Sequence, residues 1–382
     1  MAKYIENIRE KKLTVRAFDK KLDKEEKKPY CACRMTKFFS TALIIFLLLF
    51  SGTECKKGNP IVPPDGVDTT SQDFSITTLQ YGNGYASAYA EDSWVFGESN
   101  IWVVGMFPDT VGFDDRNILR WDGNKWAGFG ALYNSSGFGN IYALDSSTIF
   151  FVSTGGIVRE YKNGNIVTIQ MDNIAFSSAD KLGRLWASSE KNIWCVGAHG
   201  IIVHYDGSEW KKIPFDSNYT FTSMTGSKQT GVAYASAWGQ QGVRLIQLTN
   251  DSATVLSVQT DPQTAAVQSL LLYDEKTLWV GGSALRSYSL ENNTYQFLRN
   301  SDGVFVNATS MASPNDIYFL CEKNAVGGWV PLFMHYNGAR FTVYDLPRYS
   351  FSLNHGISAV SGLAVIAAEA DNKALIITIR RK

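Results

Sequence analysis

What this chain of 382 residues lacks excludes most functions before any motif is sought. It has four histidines; His199 and His355 fall in expected loops, with no partner at metal-ligand spacing. No Gly-x-Ser-x-Gly elbow, phosphate-binding loop or dinucleotide fingerprint is present. The sequence therefore points to no metal, no cofactor and no catalytic residues, and the chain is not expected to be an enzyme. Five cysteines occur, but only Cys195 and Cys321 lie beyond residue 55, too few for a disulfide framework. Charged residues are only 19% of the chain. Residues 55–382 carry 24 basic and 29 acidic side chains, a net of −5. A nucleic-acid binder needs a basic surface, so that class is set aside.

Long hydrophobic runs are also missing. The longest, residues 38–50 ("FFSTALIIFLLLF"), is broken by Ser40 and Thr41. As a helix it spans roughly 20 Å, short of a ~30 Å hydrocarbon core but suited to the apolar region of a signal peptide. Lys37 supplies its positive flank, and Cys55 follows it. The segment resembles a bacterial lipoprotein signal, departing from it at Glu54, where that signal has a small residue. The resemblance implies that Cys55 carries the lipid and that "KKGNPIVPPDGVDTT" is a tether. Four regions are expected: a basic arm or over-extended start at 1–34, the signal at 35–55, the tether at 56–72 and a body at 73–382.

The body repeats itself. "NIWVVG" at Asn100 returns as "TIFFVS" at Thr148, "NIWCVG" at Asn192, "GVAYAS" at Gly231, "TLWVGG" at Thr277, "DIYFLC" at Asp316 and "LAVIAA" at Leu363. The spacing averages about 44 residues, the period of four-stranded propeller blades. Each copy reads as strand a, a polar turn, strand b, a loop, strand c, a tight turn and strand d. The last turn is Asp-Gly or Asn-Gly in "RWDGNKW", "EYKNGNI", "HYDGSEW" and "HYNGARF", read as a two-residue hairpin turn. Its flanking aromatics, such as Trp121, Tyr205 and Tyr336, are expected to cover the gaps between blades. The last repeat lacks strand d, and "DFSITTLQY" before the first repeat is free to supply it. The predicted fold is all-β: a seven-bladed β-propeller of four-stranded antiparallel blades, closed by an N-terminal strand. Six or eight blades is the alternative count.

Trp102, Gly105, Asp122, Gly123 and Trp126 in one copy, and Trp194, Gly197, Asp206, Gly207 and Trp210 in another, form W-x-V-G…Y-D-G-x-x-W-type phrases. With them the chain resembles bacterial exported β-propeller lipoproteins, of the look of sialidase-superfamily and photosystem II assembly factor-like propellers. That implies a fold, not a reaction. The sialidase Asp-box has Ser two places before Asp, where this chain has Arg120 and His204. His204 and His335 share one repeat slot with Arg120 and Glu160, so a structural role is expected. Cys195 and Cys321 fall in repeats three and six, across the ring from one another, and are expected to be free and buried.

Binding is the expected role. The b–c and d–a loops share one face of a propeller, and the b–c loops vary. Residues 106–117, 238–242 and 322–331 are read as long, irregular loops of the kind that carries recognition. They nominate Phe107, Trp238 and Trp329 as anchors, with Asp109, Asp114 and Asp115 as polar partners. The expected protein is an exported monomer of the cell envelope, held by a lipid on Cys55 at the outer membrane or cell surface, or otherwise periplasmic or extracellular. It would bind a protein or a glycan. The alternatives are a polysaccharide hydrolase or lyase, marked by an acid pair with an Arg in the funnel, and an envelope-complex scaffold.

Overall fold

The computed structural model describes residues 11–13, 69–82, 88–108, 115–131, 137–153, 157–260, 267–299, 303–326, 328–347 and 356–382. The signal segment, Cys55, and most of the basic arm and tether lie outside the described residues. Among the described residues, no helix is long and apolar enough to cross a membrane.

Seven four-stranded antiparallel sheets form a ring. Blade one is Tyr89–Gly97, Asn100–Pro108, Asp115–Trp121 and Trp126–Ala131. Blade two is Phe138–Asp145, Thr148–Ser153, Val158–Lys162 and Asn165–Thr168; blade three is Leu182–Ser189, Asn192–Gly197, Ile202–Tyr205 and Trp210–Lys212. Blade four runs Tyr219–Gly226, Ala233–Gly239, Gly242–Thr249 and Ser252–Gln259; blade five runs Val267–Asp274, Thr277–Gly282, Leu285–Ser289 and Thr294–Arg299. Blade six is Val304–Ser313, Asp316–Ala325, Gly328–Tyr336 and Phe341–Asp345. Blade seven has three strands of its own, Ile357–Val360, Leu363–Ala370 and Lys373–Arg381. Its fourth is Phe74–Tyr81, antiparallel to the last of these from Phe74↔Arg381 to Tyr81↔Ala374. The ring is thus closed by joining the chain's two ends, as the missing strand implied. Lys11–Leu13 adds a short fifth strand on the outer edge of Phe74–Tyr81.

The core sits between the blades. Each of the seven seams has its own apolar cluster. Between blades one and two, Trp102, Val104 and Ile118 meet Phe138, Ile141 and Phe151. One four-stranded sheet cannot cover both its apolar faces, so each repeat depends on its neighbours. The turn aromatics do lean across the seams: Trp121 and Trp126 pack on the seam with blade seven, and Tyr336 and Phe341 on that with blade five.

The Asp-Gly turns differ from the two-residue reading. In blades one, three and six, four residues link strands c and d. The first side chain accepts the backbone N–H groups two and three residues on: Asp122 from Asn124 and Lys125 at 2.9 and 2.8 Å, Asp206 from Ser208 and Glu209 at 2.9 and 3.1 Å, and Asn337 from Ala339 and Arg340 at 3.1 and 2.9 Å. The side chain thus does part of the turning, and only the glycine takes a positive φ, +95° at Gly123 and +93° at Gly207. Asn163-Gly164 alone among the four is a two-residue turn, closed by Lys162↔Asn165 with both residues at positive φ.

Candidate functional site

Strand alternation places the b–c connections, the d–a connections and the start of every strand a on one face, called here the loop face. The first strands of all seven blades line a central channel of about 510 Å³.

In blades one to six, strand a carries a β-bulge near its start. The extra residue is Glu91, Gly139, Gly183, Thr222, Gln268 or Asn307. A bulge leaves one residue outside the ladder and re-aims its neighbours, and here it turns polar side chains toward the next blade. Asp92 accepts from the N–H of Ile141 at 3.2 Å, and Asn140 from that of Leu185 at 3.1 Å. Arg184 Nε donates to the Thr222 carbonyl at 3.1 Å, and Ser223 accepts from the N–H of Leu270 at 3.0 Å. Ser269 donates to Thr309 at 2.8 Å; Ser310 accepts from the N–H of Ala359, and Ser358 from that of Val95, both at 2.9 Å. The bonds join blade one to two, and so on round to seven and back to one: a closed girdle around the channel.

An acid pair and an arginine stand at the loop-face end of this girdle. Burial pushes Glu91 up to about 7 and Asp92 up to about 6, each against the pull of Arg184. The pair is not equally available. Asp92 Oδ1 accepts the Ser93 N–H, and Oδ2 accepts Asn140 Nδ2 and the Ile141 N–H. Arg184 spends Nε on Thr222 and Nη1 on the Gly183 carbonyl. Both therefore hold blades together. Glu91 is 8% exposed, and its Oε2 has no hydrogen-bond partner among the described residues.

The nominated residues divide. Trp238 is the next-to-last residue of strand b of blade four and is 55% exposed; Trp329 is the second residue of strand c of blade six, opposite Asn324, and is 53% exposed. Neither stands on an irregular loop. Residues 238–242 are a strand end and a tight turn, with Gly239 paired to Gly242. Residues 322–331 are a long hairpin whose tip, Val326, is fully exposed. Phe107 needs correcting as a surface anchor. Strand b of blade one continues to Pro108, which carries Phe107 into the core of the seam with blade seven, edge-on to Tyr81 at 5.7 Å. Asp109 and Asp114 lie outside the described residues, and Asp115 opens strand c of blade one. The sequence singled out neither Glu91 nor the girdle. The bulge residues are Glu, Gly, Gly, Thr, Gln and Asn, so no common motif betrays them.

The shared slot before the turn is structural. Arg120 lies over Trp102 at 5.1 Å and bonds Asn100 at 3.3 Å. His204 stacks on Trp194 at 3.8 Å and bonds Asn192 at 2.8 Å. His335 sits beside Tyr318 and bonds Asp316 at 2.8 Å. Cys195 and Cys321 are free and buried, with thiols pushed up by burial.

These features define a closed seven-bladed propeller with aromatic side chains raised on one face. Among solved structures, the chain is similar to a YCF48 bound to a D1 peptide: 12% identity, 80% of this chain and 95% of that one, TM-score 0.56. It is similar to the extracellular domain of a putative one-component system, BT4673, from B. thetaiotaomicron: 13% identity, 79% of this chain and 40% of that one, TM-score 0.54. The WD40 propeller of Doa1 matches at 10% identity over 79% and 95%, TM-score 0.53. At these identities the likeness is one of fold. No family model and no curated protein matches the chain.

Proposed function

We propose that this protein is a non-catalytic binding ring that captures a segment of another protein on its loop face, with Trp238 and Trp329 as anchors. One observation carries the reading: two tryptophans, each more than half exposed, stand on paired strands of one face of a closed ring. Tryptophan at a rigid, exposed position is costly to display and effective once covered. A peptide-bound relative in fold adds support, since the YCF48 structure was solved with a D1 peptide. Export and a lipid on Cys55 place the ring in the cell envelope on this reading.

The acid pair and Arg184 favour the hydrolase or lyase alternative at first sight. Their hydrogen bonds argue against it. A glycoside hydrolase needs two carboxyl groups free to face substrate, and both Asp92 oxygens are already engaged. The test is a peptide-display selection and a glycan array on the full chain, repeated with Trp238→Ala and Trp329→Ala. Peptide capture lost in both variants supports the reading. Glycan capture alone, or peptide capture indifferent to both changes, overturns it.

A further inference from the structure

We propose that Glu91 forms, at the loop-face end of the channel, a binding site for an organic cation: the ammonium or guanidinium of a lysine or arginine in the captured segment. This rests on the loop-face reading above and names the chemistry of its partner.

Glu91 is the bulge residue of blade one. The residues at the same position in blades four, five and six, Thr222, Gln268 and Asn307, line the channel. Its Oε2 is buried and without a hydrogen-bond partner among the described residues, in a residue more than nine-tenths buried. A buried carboxylate oxygen left alone is costly, and proteins rarely keep one without a use.

The charges around it are mostly of its own sign. Asp92 on its own strand and Glu369 on strand b of blade seven both disfavour its ionisation, and Tyr89 stands close enough to feel both Glu91 and Glu369. Arg184, on strand a of blade three, is the one cation acting on it among the described residues, and two of that guanidinium's nitrogens are committed to carbonyls. The surroundings of Glu91 are therefore mostly acidic, and one of its carboxyl oxygens lacks a partner among the described residues. A cation would ionise Glu91 and recover the cost of its burial. Among the described residues, no group of acids, histidines or cysteines could hold a metal ion, which favours an organic cation.

The test separates this site from the loop-face reading. The full chain, labelled at glutamate side-chain carboxyl carbons, is titrated with pH in the presence of n-butylguanidinium or n-butanol; Glu91→Gln assigns the signal. The expected result is a fall of about one unit or more in the Glu91 midpoint with n-butylguanidinium and none with n-butanol. An unchanged midpoint, or equal shifts with both, overturns the cation site. In a second arm, display-selected peptides have each Lys and Arg replaced by norleucine. The site predicts about tenfold weaker binding to the wild-type chain and no further loss on Glu91→Gln. Peptides that need Trp238 and Trp329 but no Lys or Arg would sink the cation site and leave the loop-face reading standing. A guanidinium response with no peptide capture would do the reverse.

Discussion

His204 and His335 fill the same repeat slot, yet the seams they serve are built differently. His204 bridges blade three to blade four through Asp251 at 2.5 Å, with Lys211 bonded to Asp251 and Asp206 alongside. All of these groups belong to blades that follow each other in the chain. His335 is fully buried and bonds Gln72 at 2.9 Å, a residue from the opposite end of the sequence. Its partner Asp316 also receives Arg381, and Arg381 Nη2 reaches the Tyr318 hydroxyl at 3.1 Å. Phe74 packs edge-on against Tyr318, Phe333, His335 and Tyr344. Thr70 donates to the Asn315 carbonyl and accepts from Asn337 Nδ2 through its own carbonyl. One slot thus serves as an ordinary bridge in one seam and as a clasp for both chain ends in another. Repetition supplies the slot, and position in the ring decides what fills it.

The comparison can be broken by mutation, and the largest effect should come from the clasp. Removing residues 1–81 strips the closing strand and leaves the Lys373–Arg381 edge bare. Loss of a single cooperative thermal transition is expected, read by calorimetry. Next, Asp316→Ala should cost about 3–5 kcal/mol, because it takes the carboxylate away from a buried imidazole and a partly buried guanidinium. Asn192→Ala, the matching change in the other seam, should cost only about 1 kcal/mol, because His204 keeps Asp251. Urea midpoints compare the two, and equal losses would mean that the clasp is no stronger than a bridge.

The clasp should also weaken in acid. Burial lowers the His335 pKa below its unfolded value, so unfolding takes up a proton and stability falls as pH drops below about 6.5. Burial acts to raise Asp316, but bonds from His335, Tyr318 and Arg381 outweigh it and hold the carboxyl below its usual range. Its contribution is present above its unfolded value near 4 and lost below that. The channel should behave oppositely. Glu91 is raised to about 7, so its contribution is present below about 4.3 and lost as pH rises through 7. Glu91→Gln should therefore add on the order of 2 kcal/mol at pH 8 and nothing at pH 4. A gain that does not depend on pH would disconnect it from ionisation. The smallest effect belongs to the loop face: Trp238→Ala and Trp329→Ala together should move stability by less than about 1 kcal/mol, since neither ring is buried.

Most of the ring was legible in the sequence because each blade repeats its own apolar alternation and turn chemistry. The closing strand was legible because a propeller cannot leave Lys373–Arg381 as an open edge. The girdle was not. A bulge inserts one residue into a period-two pattern, and "YAEDSWVFG" gives no sign that Glu91 is the inserted one. Phe107 was misplaced for a related reason: a run read as a loop from residue 106 continues as strand to Pro108, and alternation then turns the ring inward. Trp238 and Trp329 were nominated through loop irregularity, although paired strands hold them. That matters for function, because a strand fixes a ring's position better than a loop does.

The proposed binding role depends on a partner sitting on the loop face. The direct measurement is the affinity of a display-selected peptide for the full chain and for the double variant Trp238→Ala, Trp329→Ala, with thermal melts confirming that both are folded. The account predicts a loss of about a hundredfold or more with an unchanged melt. Equal affinity in the two folded proteins would contradict it.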